Sequence, residues 1–133
     1  MRVVLDTNVI LQARAAGHPY HAILQAWLNR RFVLVLSTEI ILEYEEVITD
    51  RVGAARWSIL EKLLDISDNV FRVSPSYRFR LIHGDLDDNK FADGAVAAEA
   101  EYIVTADHHF QAMQGSGFKP QVLTPDAFMA LLR

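Results

Sequence analysis

The sequence predicts an α/β fold: a three-layer sandwich in which a mainly parallel sheet of about five strands is flanked by helices, within one domain spanning residues 1–133. Three observations support this. The apolar runs MRVVL, FVLVL and YIVTA alternate with segments patterned as helices, the arrangement that builds βα units and a parallel sheet. FVLVL is hydrophobic without a break, as strands covered on both faces are. At 133 residues and 51% hydrophobic, the chain is long enough to close one core and too short for two.

Taken in order, the first strand runs from Arg2 to Leu5 and ends at Asp6. The segment after Asn8 is patterned as a helix until Gly17. Pro19, suited to a first helical turn, opens a second helix that carries Ile23, Leu24, Trp27 and Leu28 on one buried face. Phe32 to Leu36 form the second strand. Ser37 or Thr38 then caps a helix running toward Thr49, and a further helix from about Ala54 to Leu64 leads to a short third strand, Val70 to Val73. Asn89 to Ala100 is alanine-rich almost all round, so that helix can lie very close to the sheet. YIVTA is the next strand. Val122 and Leu123 make the last one, and Pro125 opens a terminal helix with Phe128, Leu131 and Leu132 inward. No repeat, linker or low-complexity tract interrupts the pattern.

The absence of cysteine excludes disulfides, thiolate zinc sites and cysteine nucleophiles. The amino terminus enters a strand with no basic leader, and no apolar run is long enough to span a bilayer, so a cytoplasmic protein is expected. A net charge of −4 opposes tight non-specific binding to nucleic acid. Two divalent ions would change that balance, since −4 + 4 leaves a neutral protein whose arginines act locally.

The aspartates make such ions plausible. Asp6 follows the first strand and Asp107 follows YIVTA, while Asp85, Asp87 and Asp88 cluster ahead of the helix between. Ligands of parallel sheets sit beyond the carboxyl ends of the strands, so acids there converge on one pocket. Converging carboxylates repel and stay ionised only beside a cation, and oxygen donors suit Mg²⁺ or Mn²⁺. Any one of these aspartates could be a helix cap. Caps can equally be Ser, Thr or Asn, so capping does not explain the set. On the helix after the second strand, Ile40, Ile41, Tyr44, Val47 and Ile48 form the apolar stripe. Glu43 and Glu45 lie on its two flanks, Glu39 and Glu46 point away, and geometry leaves Glu43 and Glu45 tied.

The segments VVLDTNVIL (Val3 to Leu11), STEIILEYEEVI (Ser37 to Ile48), DLDDNKFADGAVAAEAEYIVTADHHF (Asp85 to Phe110) and VLTPDAF (Val122 to Phe128) together resemble the PIN-domain ribonucleases, in particular the VapC-like toxins of toxin–antitoxin systems. The resemblance implies a PIN-like fold and an acidic quartet at Asp6, Glu43, Asp88 and Asp107, the glutamate being the one that follows an apolar Ile-Leu pair. Asn8 and Thr105 match polar residues that assist the quartet. It further implies Mg²⁺ or Mn²⁺ held by Asp6, Asp88, Asp107 and Glu43, single-stranded RNA as substrate, attack by water to leave a 5′-phosphate and a 3′-hydroxyl, an antitoxin partner, and a homodimer. Leu86 stands where the family often has proline. Asp93 is an additional acid, either a water-mediated ligand or, as favoured here, a partner of Lys90.

His18 and His21 read as surface residues, and His108 and His109 as solvated. Ser76 to Arg80, SYRFR, interleaves cations with aromatics, which suits single-stranded nucleic acid but equally an edge segment with alternating burial. Arg30 and Arg31 read as surface charge. Trp27 and Trp57 exceed what a short five-stranded sheet easily buries, so a dimer is expected through the helices between Pro19 and Leu64. Two rivals remain. A haloacid-dehalogenase-like phosphatase needs a second aspartate two positions after the first, where this chain has Asn8. A catalytically idle scaffold of the same fold would have no use for four acids.

Overall fold

Five strands make one sheet in the order β3-β2-β1-β4-β5. They are β1 (Arg2–Leu5), β2 (Val33–Leu36), β3 (Val70–Arg72), β4 (Tyr102–Val104) and β5 (Gln121–Leu123). All four pairings are parallel, so the expected α/β architecture is realised with a wholly parallel sheet among the described residues. The structure, a computed structural model, describes residues 1–74, 89–113 and 119–133. Its helices are α1 (Thr7–Ala13), α2 (His21–Leu28), α3 (Thr38–Val52), α4 (Ala54–Ile66), α5 (Asn89–Ala97) and α6 (Pro125–Leu132), with a 3₁₀ helix at His108–Met113. None of them is long and apolar enough to cross a membrane.

The strand order determines where a site can form. β1 lies at the centre, with β2 and β3 on one side and β4 and β5 on the other. Chain connections leaving β1 toward β2 and leaving β4 toward β5 therefore diverge, and a crevice opens beyond the carboxyl ends of β1 and β4. Asp6 and Thr105 stand there, and the backbone N–H of Asp6 donates to the Val104 carbonyl at 3.0 Å. Beneath them Val3, Val4, Leu5, Ile103 and Val104 are shut off from solvent. α5 comes close to α3 because Gly94 has no side chain: a Cβ there would meet Ile40 Cδ1 at 3.1 Å.

Several boundaries depart from the sequence pattern. α1 ends at Ala13 rather than near Gly17, and α2 begins at His21, beyond Pro19. The residue before a proline avoids helical geometry, so His18-Pro19 starts a turn, closed by the His21 N–H on the His18 carbonyl, instead of a helix. Leu28 and Leu131, expected inward, are exposed, whereas their neighbours Trp27 and Leu132 are buried. α5 stops at Ala97 rather than Ala100, because Glu99 takes a left-handed φ of 52° and the Ala100 N–H turns back to the Ala95 carbonyl. α3 runs past Thr49 to Val52 and is broken only by Gly53, at φ 102° and ψ 157°.

Trp27 and Trp57 are both buried within the chain itself, at 1% and 4% exposure, and the Trp27 indole N–H donates to the Asn69 carbonyl. The expectation that the core would leave these two rings uncovered is thus corrected. α4, which carries Trp57, packs on α3, and α2, which carries Trp27, packs on α1, cover that a strand count does not foresee.

Candidate metal centre

Asp6 is the N-cap of α1 as well as the end of β1. Its Oδ1 accepts the Thr7 N–H at 2.8 Å and its Oδ2 accepts the Thr105 hydroxyl at 2.7 Å. The side chain is buried, so β1 and α1 fix both its position and its orientation.

Glu43 reaches the same place from α3. Ile40, Tyr44 and Ile48 bury one face of that helix, and the Tyr44 hydroxyl donates to the Leu5 carbonyl, one residue before Asp6. With α3 held there, Glu43 Oε2 accepts the Thr7 hydroxyl at 2.6 Å and Oε1 accepts Lys90 Nζ at 3.0 Å. Asp107 arrives from β4: its N–H donates to Thr105 Oγ1 at 2.9 Å, and its own Oδ1 accepts the His109 N–H at 2.9 Å. Two threonines therefore link these residues, Thr7 bridging the Asp6 and Glu43 carboxylates and Thr105 joining the Asp6 carboxylate to the Asp107 backbone N–H.

Charge accumulates here. Burial pushes the Asp6 carboxyl above the ordinary aspartate range, the hydrogen bonds from Thr105 and Thr7 oppose the rise, and the charges of Asp107 and Glu43 add to it. The Tyr44 hydroxyl is likewise held well above its usual range by burial, then by Asp6 and Glu43. A group of hard oxygen donors with several carboxylates and no thiolate fits Mg²⁺ or Mn²⁺.

Of the sequence-predicted residues, Asp6, Glu43, Asp107 and Thr105 come together. Asp88, with Asp85, Asp87 and the Ser76 to Arg80 segment, lies outside the described residues. Asn8, expected to assist, is exposed. Glu45 loses the tie. It is exposed and lines a 760 Å³ cleft with Glu46, Asp50, Arg51 and Trp57, and that cleft holds none of the three acids. Glu39, expected to point away, is half-buried. Asp93 is buried, and Lys90, expected beside it, carries its ammonium to Glu43.

The histidines also differ from expectation. His18 and His21 are half-buried and engaged locally: the Tyr20 N–H donates to His18 Nδ1 at 3.0 Å, and His21 Nδ1 donates to the Ala13 carbonyl at 2.7 Å. His108 is solvated as expected. His109 is partly covered, with Nδ1 3.1 Å from Asp107 Oδ1 but turned so that no hydrogen bond forms. Donor atoms of Asp107, His108 and His109 lie within 4.8 Å of one another, close enough to share an ion. A 320 Å³ cleft lined by Thr105, Asp107, His108, Gln111 and Thr124 opens beside them.

The family described as PIN domain matches residues 2–109. Among curated proteins no match is found. Three solved structures are similar in fold. One is Mycobacterium tuberculosis VapC20, a toxin that cleaves the sarcin–ricin loop, 16% identical, covering 87% of this chain and 95% of that one at a TM-score of 0.62. Another is VapBC2 from Rickettsia felis bound to a fragment of promoter DNA, 18% identical, with 92% and 98% covered and a TM-score of 0.62. The third is FitAcB from Neisseria gonorrhoeae, 17% identical, with 92% and 97% covered and a TM-score of 0.61. At these identities the likeness is one of fold.

Proposed function

Because the chain belongs to the PIN domain family, we propose that it is a Mg²⁺- or Mn²⁺-dependent endoribonuclease that cleaves single-stranded RNA with water as the nucleophile. We read residues 1–133 as one PIN domain. The observation that carries this reading is that Thr7 and Thr105 bring Asp6, Glu43 and Asp107 to the sheet's switch point, around an Asp6 carboxyl whose pKa is raised by burial and further by its neighbours' charge. The family resemblance adds Asp88 as the fourth acid.

In the mechanism, Asp6, Asp107 and Glu43 would hold the metal, with Asp88 as the fourth ligand that the resemblance implies. A bound divalent ion supplies a nucleophilic water near neutral pH and offsets charge on the attacked phosphate and leaving oxygen. The chain's own residues provide the frame. Thr105 and Thr7 each use their hydroxyl proton on a carboxylate, which aims those oxygens and leaves their remaining lone pairs for the ion. Tyr44 spends its proton on the Leu5 carbonyl. None of these hydroxyls is free to attack, which agrees with water as the nucleophile; the 5′-phosphate and 3′-hydroxyl products are what the family resemblance implies.

The likeness to VapC20, VapBC2 and FitAcB supports a finer reading, that the enzyme is the toxin of a type II toxin–antitoxin pair with a cognate antitoxin as partner. A homodimer is part of the same reading. Leu42, Ile59 and Ile66, exposed on α3 and α4, are the apolar residues available to it in place of the buried tryptophans.

The test is cleavage of an unstructured RNA oligonucleotide by purified protein. Mn²⁺ should support cleavage, EDTA should stop it, and Asp6→Asn should lower the rate by orders of magnitude while the circular dichroism spectrum stays native. Cleavage surviving in EDTA or in Asp6→Asn would reject the reading. An idle scaffold of the same fold would bind a partner equally well with and without Asp6.

A further inference from the structure

Glu43 already has a cation. Its Oε1 sits 3.0 Å from Lys90 Nζ, and the two side chains are only 19% and 21% exposed. Lys90 lies at the start of α5, where Asn89, Phe91, Ala92 and Asp93 are all buried, so its backbone is anchored and its ammonium is held near the acids. With Thr7 on the other oxygen, both oxygens of Glu43 are engaged before any ion arrives. A lysine stem is flexible and its three donors rotate, so this contact can be given up without moving the helix.

From this geometry we propose that Lys90 is a built-in competitor for the metal: it neutralises Glu43 in the metal-free protein and yields that carboxylate when a divalent ion binds, and in doing so sets the metal affinity. The inference rests on Glu43 being a metal ligand, as read above. It separates from an ordinary structural ion pair in the sign of its effect. Losing a structural contact loosens the site and weakens metal binding. Losing a competitor strengthens it, because the ion no longer displaces a charge and no longer faces a neighbouring ammonium.

Mn²⁺ binding measured by calorimetry or electron paramagnetic resonance tests this without any nuclease assay. Lys90→Met, which keeps the apolar stem, should bind Mn²⁺ about tenfold tighter than wild type, whereas Lys90→Arg should stay close to wild type. In a Glu43→Gln background Lys90→Met should bring a clearly smaller gain, because only the relief of like-charge repulsion is left. The metal-free Lys90→Met protein should melt lower than wild type, with the gap closing as Mn²⁺ is added. In the wild-type protein, whose folding is not at issue, the Lys90 Cε–Hε resonances should move on saturation with Mg²⁺. Equal or weaker Mn²⁺ binding by folded Lys90→Met would overturn the proposal, as would an undiminished gain in the Glu43→Gln background or Lys90 resonances unmoved by Mg²⁺. Absence of Mn²⁺ binding in wild type and variants alike would instead overturn the metal reading beneath it.

Discussion

Asp6 serves two opposed ends. Buried among acids, its carboxyl titrates above the ordinary aspartate range, so the folded protein holds that proton more tightly than the unfolded chain does. The sign follows by linkage: this group's contribution to stability is fully present below the unfolded aspartate pKa and is lost as pH rises through the raised folded value. Above that raised value, without metal, ionised Asp6 therefore weakens the fold. Asp6→Asn should raise the melting temperature of the metal-free protein at pH 7, since Asn caps α1 as well as Asp and its amide can donate to the Thr105 oxygen. The same change should remove the stabilisation that Mn²⁺ gives to wild type. Thermal melts with and without Mn²⁺ would show both, and an unchanged or lower metal-free melting temperature would refute the charge argument. Asp6 and Asp107 could be read from sequence because each follows closely on an apolar run. Glu43 could not be separated from Glu45 by periodicity, which sorts faces and not partners. Thr7 and Lys90 escaped notice because each meets Glu43 across 36 and 47 residues of chain, and nothing local to either betrays that contact.

Helix ends illustrate what patterning leaves open. The existence and order of the strands were legible in their apolar runs, but the ends of α3 and α5 are decided by single backbone angles. Gly53 joins α3 to α4 at φ 102° and ψ 157°, and a Cβ there would touch nothing within 4 Å. Its requirement is conformational, not steric contact with neighbours. Gly53→Ala should cost about 1–3 kcal/mol in a denaturant melt. Glu99 is the converse case, an exposed non-glycine residue at φ 52° ending α5. Glu99→Gly should leave stability unchanged or raise it by up to about 1 kcal/mol, while Glu99→Val should lower it by about 1–2 kcal/mol. A Gly53→Ala protein as stable as wild type would show that the α3–α4 junction can relax, and with it the orientation of the helix that carries Glu43.

For the molecule as a whole, the parallel sheet with its switch at β1 was foreseeable in kind, because strand–helix alternation permits few topologies. The burial of Trp27 and Trp57 was not, since the cover comes from helices packed on one another, α2 on α1 and α4 on α3. Large apolar residues stay exposed on α2, α3 and α4, Leu28, Leu42, Ile59 and Ile66 among them, and these are the helices through which the dimer is proposed. Sedimentation at tens of micromolar, an order-of-magnitude choice for a standard interface, should show a dimer that Leu42→Glu with Ile59→Glu converts to monomer. A monomeric wild type would remove the dimer and leave the acid site standing.

The central claim is that the acids beyond β1 and β4 exist to hold a divalent ion, and crystals grown with Mn²⁺ test it most directly. Anomalous diffraction should place manganese in contact with Asp6, within reach of Glu43 or Asp107, and Asp6→Asn crystals should lose that peak. Manganese bound elsewhere on the protein, with the space between Asp6, Glu43 and Asp107 holding none at saturating concentration, would contradict the account.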